Sequence, residues 1–447
     1  MSAPRTPRRL VRLLAAVVLA TAALLPAAAP SLAADVTFGT PEASAVYGQG
    51  ITFSVPMTVS GEIERLELRL IYPSALGPFV EEVPVAPGGT QSYTVDLTGS
   101  GHLAPNTTVE ATWAAVPAGG GSPVLSAPVV VRYADTDQAW RTMKGDLVVV
   151  HWYAGDEAFA RKALAIGDRA VKQTADLLGV AETEPIDFFI YGDNEAFRSA
   201  LGPGTRENVG GRARADIRTL FALIEPSGIN DSWVEVVIPH ELVHLVFDTA
   251  VTNPYRFPPR WVNEGLAVYL SEGYTPTDRS YVAAAVEQDE LLPLTALTGQ
   301  FPTDPDKTYL AYAEAVSAID HLVRTDGEDA LYDLIGAYKD GLTDDEAFTK
   351  AAGRDVAAFQ AGWLGELGAE APDAYGPKPN PAGPLPPGWD AETPVEVAGT
   401  PRPDVETPVE GGAPGGSEMP LLVLAVAGVV IVVIVGLVVA RRRTAVP

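Results

Sequence analysis

"VEVVIPHELVHLVF", residues 234–247, places two of the chain's five histidines four residues apart around a glutamate. On a helix His240 and His244 leave from one face, close enough for both imidazoles to reach a single ion at about 2.0 Å. Glu241 is turned by about 100° from His240, so it can approach a water held at such an ion without ligating the ion itself. Pro239 suits the first turn of that helix, where a missing N–H costs nothing. The stretch predicts a zinc site with His240 and His244 as ligands and Glu241 as general base; the plainer alternative is a core helix with two satisfied imidazoles. With no cysteine anywhere in the chain, a metal has only His and carboxylate to bind.

A catalytic zinc usually takes three protein ligands and keeps its fourth position open, so a further donor is expected downstream. "RWVNEGLAVYLSEG", residues 260–273, supplies Glu264. Its neighbours Val262, Leu266, Ala267 and Leu270 are apolar, and a carboxylate turned inward among them needs a cation. Otherwise Glu264 is a surface residue of an amphipathic helix.

HELVH followed after about twenty residues by NEG resembles the gluzincin group of zinc metallopeptidases, in which the two His and the later Glu bind Zn²⁺. The run from about Leu147 to Leu367 resembles their peptidase MA-like domain. "WVNEGLAVYL" is also similar to the aminopeptidase N and leukotriene hydrolase families, and "YAEAVSAIDHL", residues 312–322, resembles their helix that begins with a catalytic tyrosine. The resemblance implies that Tyr312 hydrogen-bonds the oxyanion. Tyr309, one turn earlier, competes for that role, and either could be a plain core tyrosine. The aminopeptidases carry Gly-x-Met-Glu-Asn ahead of the zinc helix, whose Glu holds the substrate amino terminus. Here the comparable region reads "NVGGRARADIRTLFALIEP", residues 208–226, with no such Glu, which favours an endopeptidase, or an exopeptidase using another anchor, over an aminopeptidase.

The flanking pattern is strand, long helix, strand, helix. "DLVVVHWY" and "IDFFIYG" read as strands, the segment from Asp156 to Leu178 as a capped helix, and the region from Thr275 to about Leu367 as helical. "TLFALI", residues 219–224, reads as an edge strand on which an extended peptide could pair. Asp248 is either an acceptor orienting a ligand imidazole or a solvated helix end. His321, in the tyrosine helix, either assists oxyanion binding or, as a lone histidine more often does, serves packing or surface, and His151 has no catalytic role.

Upstream, "ITFSVPMTV", "IERLELRLIY", "QSYTVDL", "TTVEATWAAV" and "PVVVRY" are short runs broken by Gly and Pro. In the second, Leu66, Leu68 and Leu70 share one strand face and Glu67 and Arg69 the other. The expected fold class is multidomain: an N-terminal all-β immunoglobulin-like sandwich over 34–135 and an α+β gluzincin metallopeptidase domain over 136–370. A disordered Pro, Gly and acidic stalk over 371–420 follows. Residues 1–33, with Arg5, Arg8, Arg9 and Arg12 ahead of an apolar run, read as a signal peptide. Residues 421–440 are uncharged over about 30 Å of helix and read as one transmembrane helix. Arg441, Arg442 and Arg443 then keep the tail, 441–447, cytoplasmic and the bulk of the chain extracellular at the cell membrane.

A formal charge of -26 excludes a nucleic-acid surface. The expected partners are a peptide or protein substrate, cationic by electrostatic steering, and the membrane; nothing sets an oligomeric state. The rival to a membrane-anchored zinc peptidase is a non-catalytic surface scaffold whose zinc domain is degenerate or structural. A zinc hydrolase acting on another carbonyl is a third reading.

Overall fold

The computed structural model describes residues 35–372 except 87–88, 100, 119–120, 204–209 and 252–256. The expected signal peptide, nearly all of the stalk, the transmembrane segment and the tail lie outside the described residues. Among the described residues, no helix is long and apolar enough to cross a membrane. The chain divides into two compact units after Asp137.

In the first unit every strand pairing is antiparallel. Strand β3 (Gly50–Ser60) pairs with β1 (Asp35–Phe38), β2 (Glu42–Val46) and β6 (Thr90–Asp96). A second sheet runs β5 (Phe79–Val83), β4 (Ile63–Ile71), β7 (Thr107–Pro117), β8 (Val124–Leu125), and β9 (Val129–Tyr133) also pairs with β7. Alternate residues of both sheets meet in one core: Ile51, Phe53 and Val55 from β3, Leu66, Leu68 and Leu70 from β4, and Val109, Ala111 and Trp113 from β7. This is the expected sandwich. Glu67 does lie on the face opposite the leucines, but it is buried there because Arg65 and Arg69 both close on its carboxylate at 2.7 Å.

The second unit is built on a five-stranded sheet. Its order is β10 (Arg141–Lys144), β11 (Val148–Trp152), β12 (Ile186–Tyr191), β14 (Thr219–Leu223), β13 (Gly211–Arg214). The three inner strands are parallel and both outer ones antiparallel. "TLFALI" is therefore not an edge. β14 is buried between β12 and β13, as its run of apolar residues allows, and the sheet ends on this side at β13, a four-residue Gly-Arg-Ala-Arg strand without β-branched or aromatic residues.

Helix α1 (Glu157–Leu178) starts at Asp156, whose side chain accepts the Phe159 N–H at 2.9 Å, and a small helix α2 (Asn194–Leu201) follows β12. The motif helix α3 (Val234–Val251) lies between the sheet and the helical half, with His240, Glu241, Leu242 and Val243 all buried. Pro239 is not in its first turn. Buried Val234, Val237 and Ile238 draw the helix back by more than a turn, and the Val237 N–H already bonds Trp233 O at 2.8 Å. The proline only deprives the Glu235 carbonyl of its partner.

The helical half comprises α4 (Arg260–Ser271), α5 (Pro276–Gln288), α6 (Pro305–Asp326), α7 (Glu328–Lys339), α8 (Asp344–Ala352) and α9 (Val356–Leu367). α4 and α6 approach so closely that a Cβ on Gly265 would lie 2.5 Å from Ala315 O. The glycine of NEG thus brings the helix of Glu264 against the helix of Tyr312.

Candidate active site

Four elements deliver the site. α3 contributes His240, Glu241 and His244, α4 contributes Arg260, Asn263 and Glu264, α6 contributes Tyr312, and β13 contributes a backbone N–H. The candidate ligand atoms of His240, His244 and Glu264 all lie within 4.8 Å of one another. Their facing atoms are closer still. The two Nε2 atoms are 3.1 Å apart, and Glu264 Oε2 is 3.5 Å from each.

Three donors at about 2.0–2.1 Å from a tetrahedral Zn²⁺ are separated by roughly 3.3 Å, so the spacing is that of a zinc site. The donor chemistry agrees. Glu264 is 4 % exposed, and its Oε2 has no hydrogen-bond partner among the described residues, a costly state for a buried carboxylate oxygen unless a cation completes it. The residues fit zinc.

Protonation tells the same story. Burial lifts the Glu264 carboxyl, but His244, His240 and Arg260 more than offset this and hold it well below the carboxylate range. Burial lowers His244, yet the Glu264 carboxylate wins and raises it to about 9, while His240, dominated by burial, falls to about 4. His244 Nδ1 lies 2.9 Å from Asn263 Oδ1, an acceptor that fixes the Nδ1–H tautomer and leaves Nε2 facing the cluster.

Asp248 does not perform that orientation. Burial, the neighbouring Asp216 and the opposing Arg218 set its environment. Asn263, quoted within NEG, was given no role by spacing alone because an amide next to a ligand has no signature of its own.

Glu241 is 4 % exposed, and burial raises its pKa. The Ala213 N–H of β13 donates to its Oε2 at 2.7 Å. Gly211 makes room for this contact, since a Cβ there would meet Glu241 Cγ at 3.0 Å and Val237 Cγ1 at 3.1 Å, tighter than ordinary contact. A backbone donor on an edge strand leaves no mark in side-chain pattern, so the sequence could not expose it.

Of the two tyrosines, Tyr312 joins the cluster. Its hydroxyl accepts a hydrogen bond from Arg260, and burial, then the charges of Glu264 and Glu241, push its pKa well above the ordinary value. Tyr309 turns away and stacks on Tyr281 with centroids 5.7 Å apart. His321 is buried against Glu366 at 2.6 Å, and His151 lies between Asp187 at 2.6 Å and Thr142 at 3.1 Å; neither joins the cluster.

Residues 166–368 match the Peptidase MA superfamily. Among solved structures the chain is similar to an aminopeptidase N family protein from Idiomarina loihiensis, with 11% identity, 74% of this chain and 78% of that one covered, and a TM-score of 0.40. It is also similar to an M1 zinc metallopeptidase from Deinococcus radiodurans, with 13% identity, 78% and 95% covered, and a TM-score of 0.36. No curated protein matches.

Proposed function

Residues 166–368 are a gluzincin peptidase-like domain of the Peptidase MA superfamily, and from that premise we propose that the protein is a zinc-dependent endopeptidase. The observation that carries the proposal is the buried Glu264 Oε2, without a hydrogen-bond partner among the described residues, at 3.5 Å from both His240 Nε2 and His244 Nε2, with Glu241 beside His240 in the sequence and held by a backbone N–H.

His240, His244 and Glu264 would hold zinc, which when bound lowers the pKa of water toward about 7 and polarises a carbonyl. Glu241 does the proton work. Its Oε2 is fixed by Ala213, so Oε1 is the oxygen that takes the proton of the attacking water and returns it to the leaving nitrogen. Burial raises its pKa, which makes holding that proton easier. Tyr312 donates its O–H to the developing oxyanion.

Substrate binds extended along β13, the edge strand beside Glu241. β13 reads Gly-Arg-Ala-Arg, with no carboxylate to hold an amino terminus, and this supports internal cleavage. In the full chain the signal peptide and the apolar segment 421–440 would carry this domain on the extracellular face of the cell membrane.

The test uses the secreted portion, residues 35–418. It is expected to bind about one zinc per chain by elemental mass spectrometry and to cleave members of a peptide library at internal bonds. Glu241→Gln should keep the zinc and lose at least about a hundredfold in kcat. A parent without zinc, or a Glu241→Gln variant of undiminished activity, would overturn the reading.

A further inference from the structure

Arg260 opens α4 one turn before Glu264, and its Nη2 donates to Glu264 Oε1 at 2.8 Å. The pair is nearly enclosed, with side-chain exposures of 15% and 5%. The same guanidinium donates to the Tyr312 hydroxyl. It also packs on the Phe301 ring, 5.3 Å from its centroid, and Tyr312 meets that ring edge-on at 5.1 Å, so one aromatic surface seats both groups. The Arg260 N–H bonds Thr298 O at 2.8 Å, which fixes where the side chain begins.

Two consequences follow from donor and acceptor arithmetic. A carboxylate can embrace one cation with both oxygens, but Oε1 already accepts from a guanidinium whose positive charge repels a second cation, so Oε2, which has no hydrogen-bond partner among the described residues, is the favoured ligand atom. A phenol has one proton, and a guanidinium only donates; the Tyr312 oxygen that accepts from Arg260 must send its own O–H elsewhere. The acidic groups that act most strongly on it are Glu264 and Glu241, on the cluster side.

We propose that Arg260 is a positioning residue of this centre: it confines Glu264 to one ligand oxygen and turns the Tyr312 proton toward the substrate. The proposal rests on the zinc-peptidase reading. Lysine cannot replace it, because a single ammonium lacks the planar fork that serves two acceptors at once.

The experiment compares the parent 35–418 protein with Arg260→Met and Arg260→Lys. Zinc dissociation constants come from competition with a chromophoric chelator, and visible spectra are recorded after Co²⁺ substitution. Arg260→Met should weaken zinc by about ten- to a hundredfold. Its Co²⁺ bands should lose intensity as Glu264 binds through both oxygens and the coordination number rises. Arg260→Lys should weaken zinc less and lower kcat by about tenfold, a loss that shrinks toward none in a Tyr312→Phe background.

Thermal melts of the zinc-free proteins separate misfolding from the effect; should Arg260→Met not fold, Arg260→Lys supplies both the affinity and the spectrum. A parent that binds zinc while the folded variants keep its affinity within twofold and its Co²⁺ spectrum unchanged overturns the proposal alone. A parent that binds no zinc overturns the function and the proposal together.

Discussion

Glu314 lies two residues beyond Tyr312, is 0% exposed, and among the described residues receives only the Leu292 N–H, at 3.0 and 3.3 Å to its two oxygens. Burial raises its pKa to about 8, with the backbone bond opposing. The folded protein therefore keeps a proton that the unfolded chain releases near 4.5, the ordinary value for a glutamate. Between those values the native state binds more protons, so stability falls as pH rises, by about 1.4 kcal/mol per unit, and levels off above the folded pKa. Glu314→Gln keeps an acceptor for Leu292 and removes that slope. Urea unfolding of parent and variant at intervals from pH 5 to pH 8 reads it directly, and equal slopes would show that Glu314 is not the titrating group. The grouping of His240, His244 and Glu264 was legible in the sequence because imidazoles at i and i+4 with an adjacent glutamate are improbable in an apolar helix unless they bind something. Glu314 was not, since a lone glutamate in an amphipathic helix is ordinarily solvated.

Helix α4 carries Arg260, Asn263 and Glu264 into the site, and its depth is set by Gly265. A Cβ at that position would meet Ala315 O at 2.5 Å, Ala315 C at 2.7 Å and Ile319 Cγ1 at 2.9 Å. Two of these are backbone atoms of α6, which cannot rotate aside. Gly265→Ala should therefore force the helices apart, costing about 2–3 kcal/mol despite alanine's better helix propensity, and should weaken zinc by drawing Glu264 from the histidines. Chemical denaturation of the zinc-free variant measures the first effect and chelator competition the second. A variant within about 0.5 kcal/mol of the parent would mean that α6 yields without strain. Helices and inner strands were legible from periodicity, but two placements were not. The edge strand β13 is only four residues, GRAR, with no β-branched or aromatic residue to mark a strand, whereas the apolar "TLFALI" that it covers carries the strand signal. Pro239 looked like a helix start because local rules favour it there; the burial of Val234, Val237 and Ile238 outweighs them.

At the scale of the molecule, the two units have separate cores, one of alternating strand residues around Trp113 and one that runs from the five-stranded sheet through α3 to α9. Composition made this division visible, because Gly- and Pro-broken alternating runs give way near Trp140 to long helical spacing. What it could not give was the sheet order that brings β13 to Glu241, a contact across 28 positions made by a backbone atom. His240, His244 and Glu264, the proposed zinc ligands, all belong to the second unit, and a ligand that binds only the native state stabilises it by RT ln(1 + [L]/Kd). At free zinc about a thousandfold above Kd this is about 4 kcal/mol, or several degrees in the transition of a domain of this size. Scanning calorimetry of residues 35–418 should accordingly resolve two transitions, of which chelation lowers one and leaves the other in place. Glu264→Ala should reproduce the lowered transition without chelator and make it insensitive to added zinc. If chelation instead shifted both transitions together, the sandwich would unfold as one cooperative block with the zinc domain, and the independence expected from two separate cores would be wrong.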